Sequence, residues 1–159
     1  MSGASEHAAS PAGRVLVVAS RFNEGVTHRL VEGALSALAE AGYGEDRIDL
    51  VWVPGAFEMP LAVDRGLATG SYALAVAVGV VIQGETPHFR FVAEAATRGL
   101  AEAATRHGIP VGFGLLTCDT LSQALARAGG DAGNKGEEAA RAAVDTLRAL
   151  ARFEHGASA

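Results

Sequence analysis

The chain has 159 residues, 49% of them hydrophobic and 19% charged, and a formal net charge of −5. This composition excludes a disordered chain, and the scattered Lys and Arg residues argue against a nucleic-acid surface. Cys118 is the only cysteine, so no intrachain disulfide can form. The N-terminus carries no secretory signal, and the longest apolar run is too short to span a bilayer. We therefore expect a soluble cytoplasmic protein with no membrane or nucleic-acid partner.

Strand-like and helix-like segments alternate along the chain after a small, polar tail over residues 1–13, which we expect to be flexible. Apolar, β-branched runs predict four strands, at 14–20, 48–53, 73–82 and 111–117. Helical periodicity predicts helices over about 26–41, 56–70, 86–107, 121–128 and 137–153. The alternation predicts a single domain over 14–155, a three-layer α-β-α sandwich around a four-stranded parallel sheet.

Ligands of parallel sheets bind beyond the carboxyl ends of the strands, so the residues that follow each strand are candidates for a site. After the first strand, Phe22 could stack on a planar ligand or staple the start of the next helix. After the second strand, Glu58 could bind the hydroxyls of a polyol or only favour the helix dipole. Both interpretations of each residue remain open at this point.

The segment after the third strand has the features of an anion site. Gly84 allows the backbone to approach a ligand closely, and Pro87 suits the first position of a helix. The free N–H groups at such a helix end favour phosphate. His88, one turn into the predicted helix, could transfer protons at neutral pH or be a surface histidine.

The last third of the chain offers further candidates. Phe113 and Cys118 are interpreted as core residues of the fourth strand, and Asp119 as the N-cap of the next helix. Arg127 could complement a helix dipole or bind phosphate through its guanidinium fork. Lys135 belongs to a glycine-rich segment, 129–136, which could be a solvated turn or could reach into a neighbouring site.

Five segments, taken together, resemble the lumazine synthase family. They are Ser-Arg-Phe-Asn at 20–23, Trp-Val-Pro-Gly-Ala-Phe-Glu at 52–58, Val-Ile-x-Gly-x-Thr-x-His at 81–88, Gln-Ala-x-x-Arg-Ala-Gly at 123–129 and Ala-Gly-Asn-Lys-Gly at 132–136. The resemblance implies a flavodoxin-like topology. It also implies a transferase without cofactor or metal, which joins 5-amino-6-(D-ribitylamino)uracil to 3,4-dihydroxy-2-butanone 4-phosphate and releases phosphate and water.

The resemblance also implies roles for individual residues. His88 would transfer protons, Phe22 would stack on the pyrimidine, and Arg127 would bind phosphate. Ala56, Phe57 and Glu58 would hold the ribityl chain, Val80, Val81 and Ile82 would line the ring, and Gly84, Glu85 and Thr86 would lie at the phosphate. Asn23 is a further implied substrate-binding residue. Phe113, Arg127 and Lys135 would reach in from an adjacent subunit of a homopentamer or an icosahedral 60-mer.

Some residues depart from the family pattern. Gln83 stands where arginine is usual, Asp131 where lysine is frequent, and Arg90-Phe91 where an acid and a tyrosine are common, while Glu85 adds a carboxylate beside the expected phosphate site. Gln83 and Glu85 predict a phosphate loop that is less cationic than the family pattern. A non-catalytic flavin- or lumazine-binding module and a shell-forming protein of the same fold remain as alternative functions.

Overall fold

The structure is a computed structural model that describes residues 13–156. The predicted N-terminal tail, apart from Gly13, lies outside the described residues. The strands are β1 (Arg14–Ser20), β2 (Ile48–Val53), β3 (Tyr72–Ile82), β4 (Val111–Cys118) and two short ones, β5 (Ala128–Gly130) and β6 (Gly133–Asn134). The α-helices are α1 (Glu24–Glu40), α2 (Met59–Leu67), α3 (His88–His107), α4 (Leu121–Ala126) and α5 (Lys135–Gly156).

The four long strands form one parallel sheet in the order β2-β1-β3-β4. The prediction of a four-stranded parallel sheet with flavodoxin-like topology is confirmed. From β1 the chain crosses to β2 on one side, and it then returns to β3 on the other side. The carboxyl ends of β1 and β3 therefore flank the point where the direction of winding changes, which is where open α/β sheets bind ligands.

Alternating side chains of β1 supply both faces of the core. Val15, Val17 and Ala19 pack with the buried faces of α1 and α5, whereas Leu16 and Val18 pack with α2 and α3. All five side chains are buried, as the apolar run predicted for a strand covered on both faces. Among residues 13–156, no helix is both long and apolar enough to cross a bilayer.

Several predicted boundaries are wrong because helix ends depend on local hydrogen bonds. The predicted helix over 56–70 is a 3₁₀ turn, Ala56–Glu58, followed by α2. Thr120, not Asp119, is the N-cap of α4, because its hydroxyl accepts a hydrogen bond from Gln123 N (3.2 Å). The predicted loop 129–136 contains the β5–β6 hairpin, and α5 begins at Lys135.

A charged network joins the amino ends of three strands, which lie opposite the carboxyl ends where the candidate site is expected. Arg14 Nη2 and Nε donate to the two carboxylate oxygens of Asp49 (2.7 and 3.1 Å), and the Tyr72 hydroxyl donates to Asp49 Oδ2 (2.7 Å). These three residues lie on β1, β2 and β3. The network therefore supports the sheet without touching the pocket described below.

Asp49→Asn is expected to lower the melting temperature by a few degrees at neutral pH and to matter less in acid. The hydrogen bonds from Arg14 and Tyr72 hold the pKa of Asp49 below its ordinary value. Such a carboxylate stabilises the folded chain above its unfolded pKa, about 3.9, and loses this effect as the pH falls through the lower folded value. Thermal melts should show the gap between wild type and variant shrinking below about pH 4.

Asp145→Asn is the matched control, since Asp145 is 77% exposed on α5 and lies 3.9 Å from Arg148. We expect this variant to melt with the wild type at every pH. A gap for Asp49→Asn that stays constant from neutral pH into acid would contradict the assignment of its effect to the ionised carboxylate.

Candidate active site

A pocket of about 710 Å³ opens at the carboxyl ends of β1, β2 and β3. We call it the strand-end pocket. Three loops, the last residues of β3 and the first turns of α3 line it: Phe22, Pro54, Gly55, Ala56, Phe57, Glu58, Val80, Val81, Ile82, Gly84, Thr86, His88, Phe89, Phe91 and Val92. Ten of the residues predicted from the sequence are in this lining, so the structure brings the segments after three different strands together.

The turn after β1 presents Phe22 to the pocket. Asn23 adopts a left-handed conformation (φ 57°), and its carbonyl accepts the N–H groups of Val26 and Thr27, which starts α1. Asparagine tolerates this conformation better than most residues. Phe22 is 60% exposed within the lining, an arrangement that favours ligand stacking over stapling the helix. The side chain of Asn23 is not among the lining residues.

The loop after β2 joins the same pocket through backbone hydrogen bonds. Arg21 N donates to Val53 O (2.8 Å), and Phe22 N donates to Pro54 O (3.2 Å). The 3₁₀ turn that follows puts Phe57, 63% exposed, and the half-buried Glu58 in the lining. Within residues 13–154, the Glu58 carboxylate has no hydrogen bond or ion pair, and it is therefore available to the hydroxyl groups of a ligand.

The loop after β3 forms the opposite wall. α3 begins at His88, so this histidine is the first residue of the helix rather than one turn inside it, and the Thr86 hydroxyl accepts its N–H (3.4 Å). His88 is exposed and lines the pocket at the helix end whose free N–H groups favour anions. Glu85 is exposed and is not in the lining, although Gly84 and Thr86 on either side of it are.

Three side chains of α3 that line the pocket are not among the substrate-binding residues predicted from the sequence. They are Phe89, Phe91 and Val92; Phe91 is one of the departures from the family pattern, and Phe89 and Val92 also pack against the core. All three line the pocket, and Phe91 is 66% exposed. Helical spacing could have indicated Phe91 and Val92, because residues three and four positions after His88 lie on the same side of the helix.

Phe113, Arg127 and Lys135 lie together on a different surface, which we call the edge groove. It has a volume of about 430 Å³, runs along the outer strand β4, and is lined by Phe113, Leu115, Leu116, Thr117, Cys118, Arg127, Ala132, Lys135 and Glu138. Among the described residues, none lines both the edge groove and the strand-end pocket. One chain therefore carries two separate parts of the predicted site.

Individual residues of the edge groove correct or refine the predictions. The interpretation of Phe113 as core is wrong, since it is 38% exposed on the open strand. Cys118 is buried, and burial raises the pKa of its thiol, which suits a core residue rather than a nucleophile. Arg127 Nη1 donates to Gln123 O (3.0 Å), the helix-end contact that one interpretation predicted, while the side chain also lines the groove.

These features define an α/β protein whose strand-end pocket has exposed aromatic rings in its lining and an anion-favouring helix end beside a histidine. Within residues 13–154, no group of three or more His, Cys, Asp or Glu side chains is arranged to hold a metal ion. The groups that the pocket presents to a ligand are a carboxylate, an imidazole, exposed aromatic rings and backbone N–H groups.

The sequence comparisons identify the family within this class. A family model described as 6,7-dimethyl-8-ribityllumazine synthase matches residues 12–151. Proteins of that name from Gemmatimonas aurantiaca and Desulfovibrio desulfuricans are 59% and 50% identical to this chain, over 84% and 86% of it and 82% and 88% of their own lengths. The relative from Nautilia profundicola is 49% identical over 84% of this chain and 87% of its own. The chain belongs to the 6,7-dimethyl-8-ribityllumazine synthase family.

Proposed function

We propose that the protein condenses 5-amino-6-(D-ribitylamino)uracil with 3,4-dihydroxy-2-butanone 4-phosphate to give 6,7-dimethyl-8-ribityllumazine, inorganic phosphate and two molecules of water. One observation carries this proposal: a single pocket combines an exposed aromatic ring, an unpaired carboxylate, and a helix end next to His88. These are the groups that a flat ring, a polyol and a phosphate require. The cytoplasmic location expected from the sequence is part of the proposal.

The uracil substrate fits the β1 and β2 side of the pocket. Phe22 stacks on the pyrimidine, and Val80, Val81 and Ile82 line the ring with backbone groups. Ala56, Phe57 and Glu58 hold the ribityl chain, and the half-buried Glu58 carboxylate accepts hydrogen bonds from its hydroxyls. Asn23 contributes through its backbone turn, which sets the direction of Phe22.

The phosphorylated ketone fits the β3 side. Backbone N–H groups at Gly84, Glu85 and Thr86 bind the phosphate at the start of α3. The Glu85 side chain is exposed and absent from the pocket lining, so only its backbone takes part in this proposed contact. Gln83 is exposed and absent from the lining, so these proposed phosphate contacts do not involve its side chain.

His88 moves the protons of the reaction. The uracil amine attacks the ketone carbon, and loss of water leaves an imine. Removal of the proton from the adjacent carbon expels phosphate from the next carbon and leaves an enol. Its keto form is attacked by the ribityl-bearing nitrogen, and a second water leaves as the ring closes. A histidine next to an anion-binding helix end serves both the proton transfers and the departing phosphate.

The complete site forms between two subunits. The strand-end pocket and the edge groove are different surfaces of one chain. When the pocket of one subunit contacts the groove of the next, the subunits form a ring, provided that the rotation relating neighbours returns to the first subunit. We propose a homopentamer in which Phe113, Arg127 and Lys135 enter the neighbour's pocket. Glu138, which lines the same groove, then approaches the neighbour's His88 and orients it. Light scattering tests the size of the ring and whether pentamers assemble further into a 60-mer.

Turnover of the two substrates, followed by the absorbance of the lumazine product, tests the function. His88→Ala is expected to lower kcat by about a hundredfold, the lower end of the range for general acid–base catalysis, and to leave a residual rate from positioning alone. His28→Ala is the control, because His28 is exposed on α1 and does not line the pocket. An unchanged kcat for His88→Ala would remove this residue from the mechanism.

A wild-type protein that binds the lumazine but forms none from the two substrates would favour the non-catalytic binding module instead. That alternative uses Phe22 and the end of β3, but it does not need His88, Arg127 and Lys135 together. Binding and turnover measured on the same preparation therefore separate the two functions.

A further inference from the structure

Asn134 ties the β5–β6 hairpin and the start of α5 to α1, which lies about a hundred residues earlier in the chain. Its side-chain nitrogen donates to the carbonyl of Arg29 in the middle of α1 (3.0 Å), and its side-chain oxygen accepts from Glu137 N in the first turn of α5 (3.1 Å). Its backbone belongs to the β5–β6 hairpin. The second hydrogen bond is that of a helix N-cap, whereas the first has no part in capping and ties the hairpin to α1.

Two glycines make this contact possible. A Cβ at Gly33, in the interior of α1, would overlap the Asn134 carboxamide, and a Cβ at Gly136 would overlap the carbonyl of Leu30. Glycine is unfavourable inside a helix, so its presence at position 33 calls for a local reason. The close approach of Asn134 is that reason. We call Asn134, Gly33 and Gly136 the hairpin clamp.

The hairpin clamp lies next to the charged residues of the edge groove. Lys135 follows Asn134 directly, and Lys135 N donates to Arg127 O (2.8 Å), which joins the end of α4 to the start of α5. Ala132 N donates to Ala126 O (2.9 Å), and this hydrogen bond joins the turn of the hairpin to the end of α4. A displacement of Asn134 therefore moves Arg127 and Lys135 together, and Glu138 with them through the first turn of α5.

We propose that Asn134 is a positioning residue, which acts through Arg127, Lys135 and Glu138 to present these charges to the phosphate bound in the neighbouring subunit. This inference rests on the proposed function. Arg127 and Lys135 are exposed and half-buried, respectively, and no ion pair within residues 13–154 fixes either of them. The only side-chain hydrogen bond of Arg127 among residues 13–154 goes to Gln123 O in α4 (3.0 Å), so both side chains follow the backbone of the segment that carries them. The hydrogen bond from Lys135 N to Arg127 O connects this segment to the clamp.

Asn134→Ala is expected to raise the KM for the phosphorylated ketone roughly tenfold, since displacements of about 1 Å suffice for such losses. The KM for the uracil substrate should stay within about twofold, because the uracil side of the pocket does not touch the clamp. Asn134→Ser retains a capping hydroxyl but cannot reach Arg29. If Asn134 is a positioning residue, the KM for the ketone should stay high in Asn134→Ser. If Asn134→Ser instead has the wild-type KM, Asn134 acts only as a helix cap and the proposal is overturned.

Gly33→Ala tests the same contact by changing its α1 partner instead of Asn134. The new methyl group displaces the Asn134 carboxamide, so the ketone KM should rise as in Asn134→Ala. In the double variant the methyl group occupies the space that the carboxamide has left, and the KM should be no higher than for Asn134→Ala alone. Gly25→Ala is the control, since a Cβ there meets nothing within 4 Å in the same helix. Additive effects of the two substitutions, or equal rises in both KM values, would overturn the proposal.

Hydrogen exchange gives a readout that does not depend on turnover. Amides between residues 127 and 138 should exchange faster in Asn134→Ala than in wild type, and no faster in Gly25→Ala. Unchanged exchange in this segment would refute the clamp. If the wild type produced no lumazine while exchange still rose in Asn134→Ala, the proposed reaction would fail and the clamp would stand as the device that orders the edge groove.

Discussion

Arg127→Ala is expected to raise the KM for the phosphorylated ketone by about ten- to hundredfold, the loss of one to two hydrogen bonds to a charged group. The guanidinium lines the edge groove near Lys135, and only one of the two substrates carries a phosphate. The KM for the ribitylaminouracil should therefore stay within about twofold, and kcat at saturating ketone should fall much less than kcat/KM. Steady-state kinetics with each substrate varied in turn measures the split.

Two further variants sharpen this test. Arg127→Lys keeps the charge but loses the planar fork that matches phosphate, so its KM should lie between those of wild type and Arg127→Ala. Arg65→Ala removes an exposed arginine from α2 that lines neither the pocket nor the groove, and it should behave as wild type. Equal rises in both KM values for Arg127→Ala would contradict a role in phosphate binding and indicate a general disturbance of the groove.

The sheet could be predicted closely because its strands are marked by composition alone. The β1 run Arg14–Ser20 and the β2 run Ile48–Val53 have the same limits in the structure as in the prediction. The helix ends could not be predicted as closely, because they depend on hydrogen bonds of individual side chains. Thr86 accepts the N–H of His88 and delays the start of α3, and Gln123 Oε1 accepts the N–H of Asp119, which leaves Thr120 as the cap.

The pocket was predictable from a topological rule, whereas the edge groove was not. Residues after β1, β2 and β3 must meet when the strands are parallel neighbours, so Phe22, Glu58 and His88 could be grouped from the sequence. Phe113, Arg127 and Lys135 come together only because α4 and the hairpin fold back on β4. The spacing of apolar residues in the sequence does not predict that contact. Their grouping was implied by the family resemblance, and the role of Asn134 emerged only from its contact with α1.

The separation of pocket and groove has a consequence for mixed oligomers. His88→Ala damages only the strand-end pocket of a subunit, and Arg127→Ala damages only its edge groove. When both variants are co-expressed, a site that combines the pocket of an Arg127→Ala subunit with the groove of a His88→Ala subunit is intact. Random mixing in a ring with heterologous interfaces makes about a quarter of the sites intact, so the mixture should regain about a quarter of the wild-type kcat/KM.

Wild type co-expressed with the double variant His88→Ala/Arg127→Ala provides the decisive control. If each site needs two subunits, this mixture also has about a quarter of its sites intact, and the two mixtures should be equally active. If each site lies within one chain, the first mixture should remain at the level of the single variants while the control reaches about half of wild type. The activities are measured at low ketone concentration. Equal activities of about a quarter of wild type indicate a site shared by two subunits, and unequal activities indicate a site within one chain.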